Sequence, residues 1–538
     1  MSKEMANLLF PKIDTTVEDY LAVYPPRNQA ALRIAPSPTG FLHIGSLGMS
    51  LANRMLADKM GGIFFLRIED TDTKREIDGA AEKMIETFNR FGVRFDESDH
   101  IGGKYGPYTQ SQRTHIYHAF AKRLVERGRA YACFCTADEI DQLRLKQTER
   151  KENPGYHGTY AKCANLPLDT VKKRIDEGRE WALRFLPDYE GSELRSNPSA
   201  RIVWHDPSRG EQSLPPQQNN AIIIKSNGIP PYNFAHIVDD LLMRTSHVIR
   251  GEEWWPSTAE HIQIFRALFD CDPPWQYCQP PVICTNDNGS KRKLSKRKDK
   301  HALAENLLLD GYPREAIIDY LLSLYNTDYE MWRIENPTLP YTDFSFRFEK
   351  IGKNSPFFDH DKLNHISREV IARKKSEEIN QEVKTFYEGR VDKESKIVQE
   401  NLEKVYKILA IDRGTDKPRK DLVKYGDIWD EYNYLFIRPK NLKPTLDETA
   451  ILNAYKTIYN ASDTREVWFA KVKQLCTQIG YAPGLKEFKQ NPEAYNFKGH
   501  IGDVTQAIRR AITGRENTPD LYQIMQILGQ DEVLGRIM

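Results

Sequence analysis

The sequence predicts an α/β protein with a doubly wound parallel-sheet domain, an inserted domain and an all-α C-terminal region. In the first hundred residues, apolar strand-like runs alternate with amphipathic helical patterns, which is the order of a doubly wound fold. This alternation is lost from about residue 106 to 217 and then returns, and beyond about residue 330 only helical patterns occur. The expected ranges are 1–30 for an N-terminal extension, 31–105 and 218–330 for the halves of the parallel-sheet domain, 106–217 for the insertion and 331–538 for the helical region.

Length and composition limit the possible classes of protein. A chain of 538 residues fits about three or four domains of roughly 100–200 residues each. Because the formal net charge is only +1, a nucleic-acid partner would have to meet local basic patches. No run approaches the roughly 20 apolar residues of a membrane span, and the N-terminus lacks the pattern of a secretory signal. Seven cysteines are sparse and odd in number, so we expect a cytoplasmic protein.

The first half of the parallel-sheet domain follows from alternating patterns. A strand is expected to end near Ile34, and a helix runs from Gly45 through Leu56. The apolar run from Ile63 to Ile68 predicts a second strand, and the helical spacing from Ile77 to Phe88 predicts a second helix. Residues 1–30 predict one helix that ends before Pro25.

The second half is expected to begin at Ala221–Ile224, an apolar run that we assign to the parallel sheet. Val248 and Ile249 form a short strand that ends at Arg250. The S-T-A-E sequence from Ser257 to Glu260 predicts a capping box that starts the next helix.

The stretch from Arg33 to Ser46, R-I-A-P-S-P-T-G-F-L-H-I-G-S, predicts a phosphate-binding turn. A helix N-terminus offers free backbone N–H groups and the positive end of its dipole to an anion. His43 can donate to a phosphoryl oxygen, and Gly45 has no Cβ atom, so a flat purine or ribose can lie against the backbone. The alternative is a Pro-rich turn ahead of a buried helix, with His43 as a hydrogen-bonded core residue.

A second stretch, N-D-N-G-S-K-R-K-L-S-K-R-K from Asn286 to Lys298, combines a Gly/Asn/Asp loop with dense positive charge. Lys293 and Lys296 place two ammonium groups around Ser295. Such a loop can close on a nucleotide polyphosphate and neutralise the charge that develops as pyrophosphate leaves. By itself it is better explained as a solvated charge run or a localisation-type basic cluster.

Three cysteines of the insertion predict a zinc site. Cys133 and Cys135 are separated by one residue, and Cys163 follows in Y-H-G-T-Y-A-K-C. Three thiols could hold a tetrahedral Zn²⁺ ion with Tyr160 or His157 as the fourth ligand. The alternative is three inert thiols.

The two stretches together resemble the paired signatures of class I aminoacyl-tRNA synthetases. The HIGH box reads H-I-G-S here, with Ser46 in place of the last His, and the KMSKS loop reads K-L-S-K-R. Four other sequence segments resemble those of glutamyl-tRNA synthetases of the bacterial type. They are A-P-S-P-T-G, R-I-E-D-T-D from Arg67 to Asp72, P-Y-N-F-A-H-I-V-D-D from Pro231 to Asp240, and H-V-I-R-G-E-E-W from His247 to Trp254. Glutaminyl and eukaryotic-type glutamyl enzymes usually carry P-E-P-N-G in the lead-in instead. Some bacterial-type members bind zinc through a C-x-C and a later Cys, although their local text is more often Y-D-G-x-C.

The resemblance implies ATP-dependent activation of glutamate to glutamyl-adenylate and its transfer to the 3′-terminal ribose of tRNA(Glu), with Mg²⁺ held mainly by ATP oxygens. His43, Lys293 and Lys296 are the expected catalytic residues. Arg33 and Arg250 can each grip a carboxylate through a planar fork, with a structural salt bridge as the alternative for each. Glu69 is the expected partner of the substrate ammonium group. His236 departs from relatives that carry Asn at this position.

The resemblance also implies two sets of binding residues. Those for ATP are Gly40, His43, Gly45, Lys293, Ser295 and Lys296. Those for glutamate are Arg33, Ala35, Ser37, Glu69, Tyr232, Arg250 and Trp254.

We also expect a monomer with no membrane partner. Other possibilities are a non-discriminating enzyme that also charges tRNA(Gln), a glutaminyl enzyme, a tRNA-modifying adenylyltransferase, and a non-catalytic RNA-binding paralogue. The short tRNA-modifying paralogues lack an anticodon-binding region, whereas this chain has over two hundred residues after residue 330.

Overall fold

The structure is a computed structural model that describes residues 2–38, 40, 42–72, 77, 79–287, 289–295, 298–440, 442–490 and 497–537. The chain forms two compact units. One contains the residues up to Leu307 together with Ile318–Asp359, and the other contains Leu308–Ile317 together with the residues from His360 onward. Within the described ranges, none of the helices has the length and apolar character needed to cross a bilayer.

The strands of the first unit are short, and most are buried on at least one face. They are β1 (Ala31–Ile34), β2 (Ile63–Leu66), β3 (Ala130–Cys133), β4 (Ala182–Phe185), β5 (Ile202–Asp206), β6 (Gly210–Leu214), β7 (Ile222–Ile224), β8 (His247–Ile249), β9 (Gln276–Cys278), β10 (Cys284–Asp287) and β11 (Ser290–Lys293).

A parallel sheet in the order β2-β1-β8-β9 forms the centre of this unit. Leu32 lies opposite Phe64 on one side and His247 on the other. After β1 the chain moves to β2 on one side, and β8 is later added on the opposite side, so the strand order reverses between β1 and β8. In doubly wound sheets a crevice opens outside the carboxyl ends of the strands at such a reversal. The topology therefore predicts a binding site at the ends of β1 and β8.

The apolar run at 221–224 was assigned to the wrong sheet. Residues Ile222–Ile224 form β7, which pairs with β4 in the antiparallel sheet β3-β4-β7. The run is correctly read as a buried strand, but an apolar run carries no information about its pairing partner. Two antiparallel hairpins, β5-β6 and β10-β11, complete the strand pairs.

The N-terminal extension forms two helices instead of the single expected helix. The second begins at a capping box in which the Thr16 side chain accepts from the Asp19 N–H and the Asp19 carboxylate accepts from the Thr16 N–H. The first packs against the helix Thr114–Glu126. The helices up to residue 359 are α1 (Ser2–Leu9), α2 (Val17–Val23), α3 (Ile44–Lys59), α4 (Ala80–Arg90), α5 (Thr114–Glu126), α6 (Ala137–Glu149), α7 (Leu168–Asp176), α8 (Glu193–Ser196), α9 (Tyr232–Leu242), α10 (Thr258–Phe269), α11 (Ala304–Asp310), α12 (Arg314–Tyr325) and α13 (Tyr329–Glu335).

The second unit has an apolar core shared by its helices, with Tyr455, Val472 and Ile508 among the most deeply buried residues. All of its described regular elements are helical, as the sequence predicts. They are α14 (His360–Arg373), α15 (Ser376–Tyr387), α16 (Lys393–Glu400), α17 (Leu402–Ala410), α18 (Ile428–Tyr432), α19 (Leu446–Ile458), α20 (Arg465–Gln478), α21 (Leu485–Gln490), α22 (Ile501–Thr513), α23 (Leu521–Leu528) and α24 (Gln530–Arg536).

Candidate active site

A cavity of about 400 Å³ lies at the carboxyl ends of β1 and β8, where the sheet topology predicts it. It brings together most of the residues that the sequence assigned to two different substrates. Gly40 and Ser295 are not among the lining residues, and Lys296 lies outside the described residues. The assigned residues that line the cavity are Arg33, Ala35, Ser37, His43, Gly45, Glu69, Tyr232, Arg250, Trp254 and Lys293.

His43 lies at one end of the cavity, directly before α3. It has extended backbone geometry, and its Nδ1 atom accepts the Gly45 N–H at 3.1 Å. Because Nδ1 is an acceptor in this bond, Nε2 carries the proton of the neutral ring and can donate to an anion. Tyr325 closes the same end with its hydroxyl, which donates to the Gly45 carbonyl at 3.2 Å.

The basic loop reaches the same cavity through Lys293, the last residue of β11. Its ammonium group pairs with Glu253 at 2.5 Å, and both side chains are partly exposed, at 53% and 35%. The base of the loop is fixed by Arg292, which bonds both carboxylate oxygens of Asp299 at 2.9 and 3.0 Å. Asp299 also accepts the backbone N–H of Ser295 at 2.7 Å. Hydrogen bonding from Arg292 lowers the pKa of Asp299 to about 2, so this clamp is charged at neutral pH.

Arg33 lines the cavity, but a neighbouring carboxylate already occupies its fork. Its Nε and one terminal nitrogen bond the two oxygens of Asp240 at 3.1 and 3.2 Å. Arg67 bonds the same carboxylate at 2.8 Å. Burial alone would raise the pKa of Asp240, but Arg33 and Arg67 hold it well below its usual range. The salt bridge that the sequence left open as an alternative for Arg33 is therefore present.

Glu69 follows β2 and faces the cavity while it pairs with Arg67 at 3.0 Å. Only 6% of the residue is exposed. Burial raises the pKa of Glu69 to about 7, against the opposing effect of Arg67 and Arg33. Its carboxyl group therefore changes its charge near neutral pH, and a positive ligand group would favour the ionised form.

Arg250 differs from Arg33 because every hydrogen-bond partner that it has is neutral. One terminal nitrogen donates to the Tyr232 hydroxyl at 2.9 Å and lies 3.4 Å from His236 Nε2. The other donates to Thr258 Oγ1 at 3.2 Å and to His261 Nδ1 at 3.1 Å. The residue is 6% exposed, its Nε atom is buried without a hydrogen-bond partner, and no carboxylate of the described residues is within ion-pairing distance. A buried charge without a counterion is costly, so this position favours an anionic ligand.

The helix α10, which carries Thr258 and His261, does not begin with the predicted capping box. Ser257 has helical backbone angles, φ −82° and ψ −11°, and its side chain makes no capping bond. A 3₁₀ helix, Glu252–Ser257, runs directly into α10, so no extended N-cap residue is available. Glu260 accepts instead from the Asn233 side chain at 3.2 Å.

Sequence reasoning missed several residues of the site. Asp240 was a readable signal, because it lies with Asp239 in a largely apolar helix and an unpaired carboxylate is rarely buried there. Glu253, Thr258, His261 and Tyr325 had no such signal, since each is ordinary for its local sequence.

The three cysteines of the insertion come together in a separate cluster. Their sulfur atoms all lie within 4.8 Å of one another, and Cys135 Sγ is 3.7 Å from Cys163 Sγ. Neither predicted fourth ligand faces them: the Tyr160 hydroxyl donates to Glu152, and His157 Nε2 lies 3.1 Å from the Asn153 carbonyl. In their place, the Tyr156 hydroxyl lies 3.3 Å from Cys135 Sγ.

Comparison with known proteins identifies the family. Residues 29–364 match the family described as tRNA synthetases class I (E and Q), catalytic domain, and residues 489–538 match the anticodon binding domain. The chain is 42% identical to the glutamate–tRNA ligase of Clostridium perfringens strain 13, over 99% of this chain and 100% of that protein. The chain belongs to the glutamyl-tRNA synthetase family of class I aminoacyl-tRNA synthetases.

Other comparisons agree with this family. The glutamate–tRNA ligase of Acetivibrio thermocellus is 39% identical over 99% of each chain. The crystal structure of glutamate-tRNA synthetase from Elizabethkingia anophelis superposes with a TM-score of 0.76 at 26% identity, over 95% of this chain and 99% of that one. These similarities confirm the predicted resemblance to glutamyl-tRNA synthetases and the predicted fold class.

Proposed function

We propose that this protein is a glutamate–tRNA ligase that charges tRNA(Glu). The glutamate carboxylate attacks the α-phosphorus of ATP and expels pyrophosphate, and a hydroxyl of the 3′-terminal ribose then attacks the glutamyl-adenylate and releases AMP. The observation that carries the proposal is the buried, uncompensated charge of Arg250 in the cavity that His43 and Lys293 also line. That arrangement pairs a site for an acidic side chain with a site for phosphates.

The amino-acid end of the cavity suits glutamate in charge and geometry. Arg250 would bind the side-chain carboxylate, since a guanidinium group and a carboxylate form charge-assisted bonds. Burial raises the pKa of Tyr232, so its hydroxyl keeps a proton and can donate to the same carboxylate. Glu69 would pair with the substrate ammonium group. Arg33, whose fork holds Asp240, would contribute mainly its positive field. Ala35, Ser37 and Trp254 would shape the walls.

The nucleotide end would act by positioning and by neutralising charge. His43 would donate from Nε2 to a phosphoryl oxygen, and Lys293 would leave Glu253 for the departing pyrophosphate. Partly exposed ion pairs contribute only about 0–1 kcal/mol, so this exchange is inexpensive. We also propose ATP binding for Lys296, Gly40, Gly45 and Ser295. Bound Mg²⁺ would supply further neutralisation through ATP oxygens, and we assign it no protein ligand because Glu69 and Glu253 both have cationic partners.

The cysteine cluster fits a structural zinc ion. Two sulfur ligands of a tetrahedral site lie about 3.8 Å apart when each Zn–S bond is about 2.3 Å. The separation of 3.7 Å between Cys135 and Cys163 agrees with this value. We propose Cys133, Cys135 and Cys163 as ligands, with the Tyr156 hydroxyl nearest to the fourth position.

We propose that the insertion at 106–217 contacts the acceptor stem of tRNA and that the helical region from 331 contacts the stem and the anticodon. The anticodon binding domain matched at 489–538 supports the second assignment. We also propose that the protein is a monomer and that it is cytoplasmic, the latter because none of its seven cysteines forms a disulfide.

Charging assays test this function directly. We expect the protein, ATP and glutamate to charge purified tRNA(Glu), and a parallel reaction with purified tRNA(Gln) distinguishes a discriminating from a non-discriminating enzyme. No charged tRNA in either reaction would favour the non-catalytic paralogue.

Replacing Arg250 by Ala should raise the KM for glutamate far more than the KM for ATP. Loss of a hydrogen bond to a charged group costs about 1.5–3 kcal/mol, which corresponds to roughly 10- to 150-fold. The control is Arg209→Ala, since Arg209 is part-buried and bonds Gln279 and Glu252 without lining the cavity. An unchanged glutamate KM would exclude Arg250 from this role.

Lys293→Ala should lower kcat with little change in either KM, because the ammonium group would act mainly on charge that develops in the transition state. Loss of one such group costs roughly 100-fold or more in kcat. Lys291→Ala is the matched control, since Lys291 lies on the same strand but bonds the Ser355 carbonyl. Equal effects of the two substitutions would contradict the proposed role.

The KM for glutamate should depend on pH through Glu69. Its pKa of about 7 in the folded protein means that the carboxyl group is mostly protonated at pH 6 and cannot attract an ammonium ion. Between pH 8 and pH 6 we expect the glutamate KM to rise about ten-fold, while the ATP KM changes little. Glu69→Gln should bind glutamate weakly at every pH, and a pH dependence that persists in this variant would assign the titration to another group.

Purified protein should contain about one zinc ion per chain by elemental analysis. Cys163→Ser should lose this metal and melt at a lower temperature, because structural zinc contributes directly to folding. Cys271→Ser is the control, since Cys271 is exposed and lies outside the cluster. Full zinc content in the Cys163→Ser protein would contradict the ligand assignment.

A further inference from the structure

Two histidines, His236 and His261, contact Arg250 but do not line the cavity. Both are fully buried. His236 Nδ1 lies 2.7 Å from Asp240 Oδ2, and His261 Nε2 lies 3.1 Å from Asn233 Oδ1. Both partner oxygens are acceptors, so each ring donates from that nitrogen.

These outer hydrogen bonds decide what the rings present to Arg250. Burial lowers the pKa of His236 to about 3 and that of His261 well below its ordinary value, so both rings are neutral. With their protons on the outer nitrogens, His236 Nε2 and His261 Nδ1 are both acceptors. They lie 3.2 Å apart, so neither can donate to the other, and Arg250 is the donor that both face. Together with Thr258 and Tyr232, they hold Arg250 in place without neutralising it.

We propose that His236 and His261 are positioning residues that set the selectivity for glutamate over glutamine, an inference that rests on the proposed function. They would do so by holding Arg250 through acceptors that carry no charge. A carboxylate in either place would orient Arg250 equally well, as Asp240 does for Arg33. It would also cancel the charge that distinguishes a carboxylate ligand from a carboxamide. The charge of the groups that accept hydrogen bonds from Arg250 would therefore determine the selectivity for glutamate over glutamine. Their number would determine how firmly Arg250 is held in position.

The test compares two substitutions that differ only in charge. The Oδ1 atom of Asn or Asp occupies nearly the same place as His Nδ1, so His261→Asn keeps a neutral acceptor and His261→Asp adds a carboxylate that Arg250 would keep ionised. The measured quantity is the ratio of kcat/KM for glutamate to that for glutamine in tRNA charging. We expect His261→Asp to lower this ratio at least about ten-fold relative to His261→Asn, through the glutamate KM and with the ATP KM unchanged.

Equal ratios in the two folded variants would overturn the inference. If the His261 variants do not fold, as judged by thermal melting, Thr258→Asp and Thr258→Asn give the same comparison, since Thr258 Oγ1 also accepts from Arg250 and Asn has a similar volume. Arg250→Ala is measured alongside. If it leaves the glutamate KM unchanged, the proposed role of Arg250 fails. If it behaves as expected while the charge-differing pairs do not, only the role of the histidines fails.

Discussion

Asp240 joins parts of the site that are far apart in the chain. Its carboxylate binds Arg33 at the end of β1, Arg67 after β2 and His236 on its own helix, α9. Thr245 donates a further bond at 3.0 Å. Each group is buried, and removing one partner of such a pair costs about 3–5 kcal/mol because the others are left as uncompensated charges. The position of β1, β2 and α9 around the cavity therefore depends on this one carboxylate.

The distribution of charge around this centre supports the proposed selection of glutamate. Arg33 and Arg67 share Asp240, and Arg113 pairs with Asp239 at 2.7 Å. Arg250 has only neutral partners, and Glu69 is poised between its charged and neutral forms. Arg250 therefore has no fixed counter-charge, whereas Glu69 shares its cationic partner, Arg67, with Asp240. In the proposed function, the side-chain carboxylate of glutamate would supply the missing counter-charge of Arg250, and its ammonium group would pair with Glu69.

The nucleotide end depends on weaker and more exposed contacts. Lys293 is half exposed and pairs with Glu253, whereas the base of its loop is fixed by the Arg292–Asp299 clamp. The hairpin is held in place at its base, while the Lys293 side chain makes only an exposed ion pair. Lys293 could therefore move to a phosphate without unfolding of the hairpin. The exposed contacts of Lys293 contrast with the buried network around Asp240. This difference suits the proposed chemistry, since a rigid site selects the amino acid and a mobile side chain can follow the departing pyrophosphate.

Local sequence patterns were enough to predict the fold class, the strands β1, β2, β7 and β8, and ten residues that line the cavity, because apolar periodicity and sequence motifs are local properties. They did not determine the partner of β7, the continuous helical path through Ser257, the Tyr156 position beside the thiols, or the split between a compensated Arg33 and an uncompensated Arg250. Each of these points depends on which distant groups approach within about 3–4 Å, where hydrogen bonding and ion pairing act, and a local pattern does not contain that information.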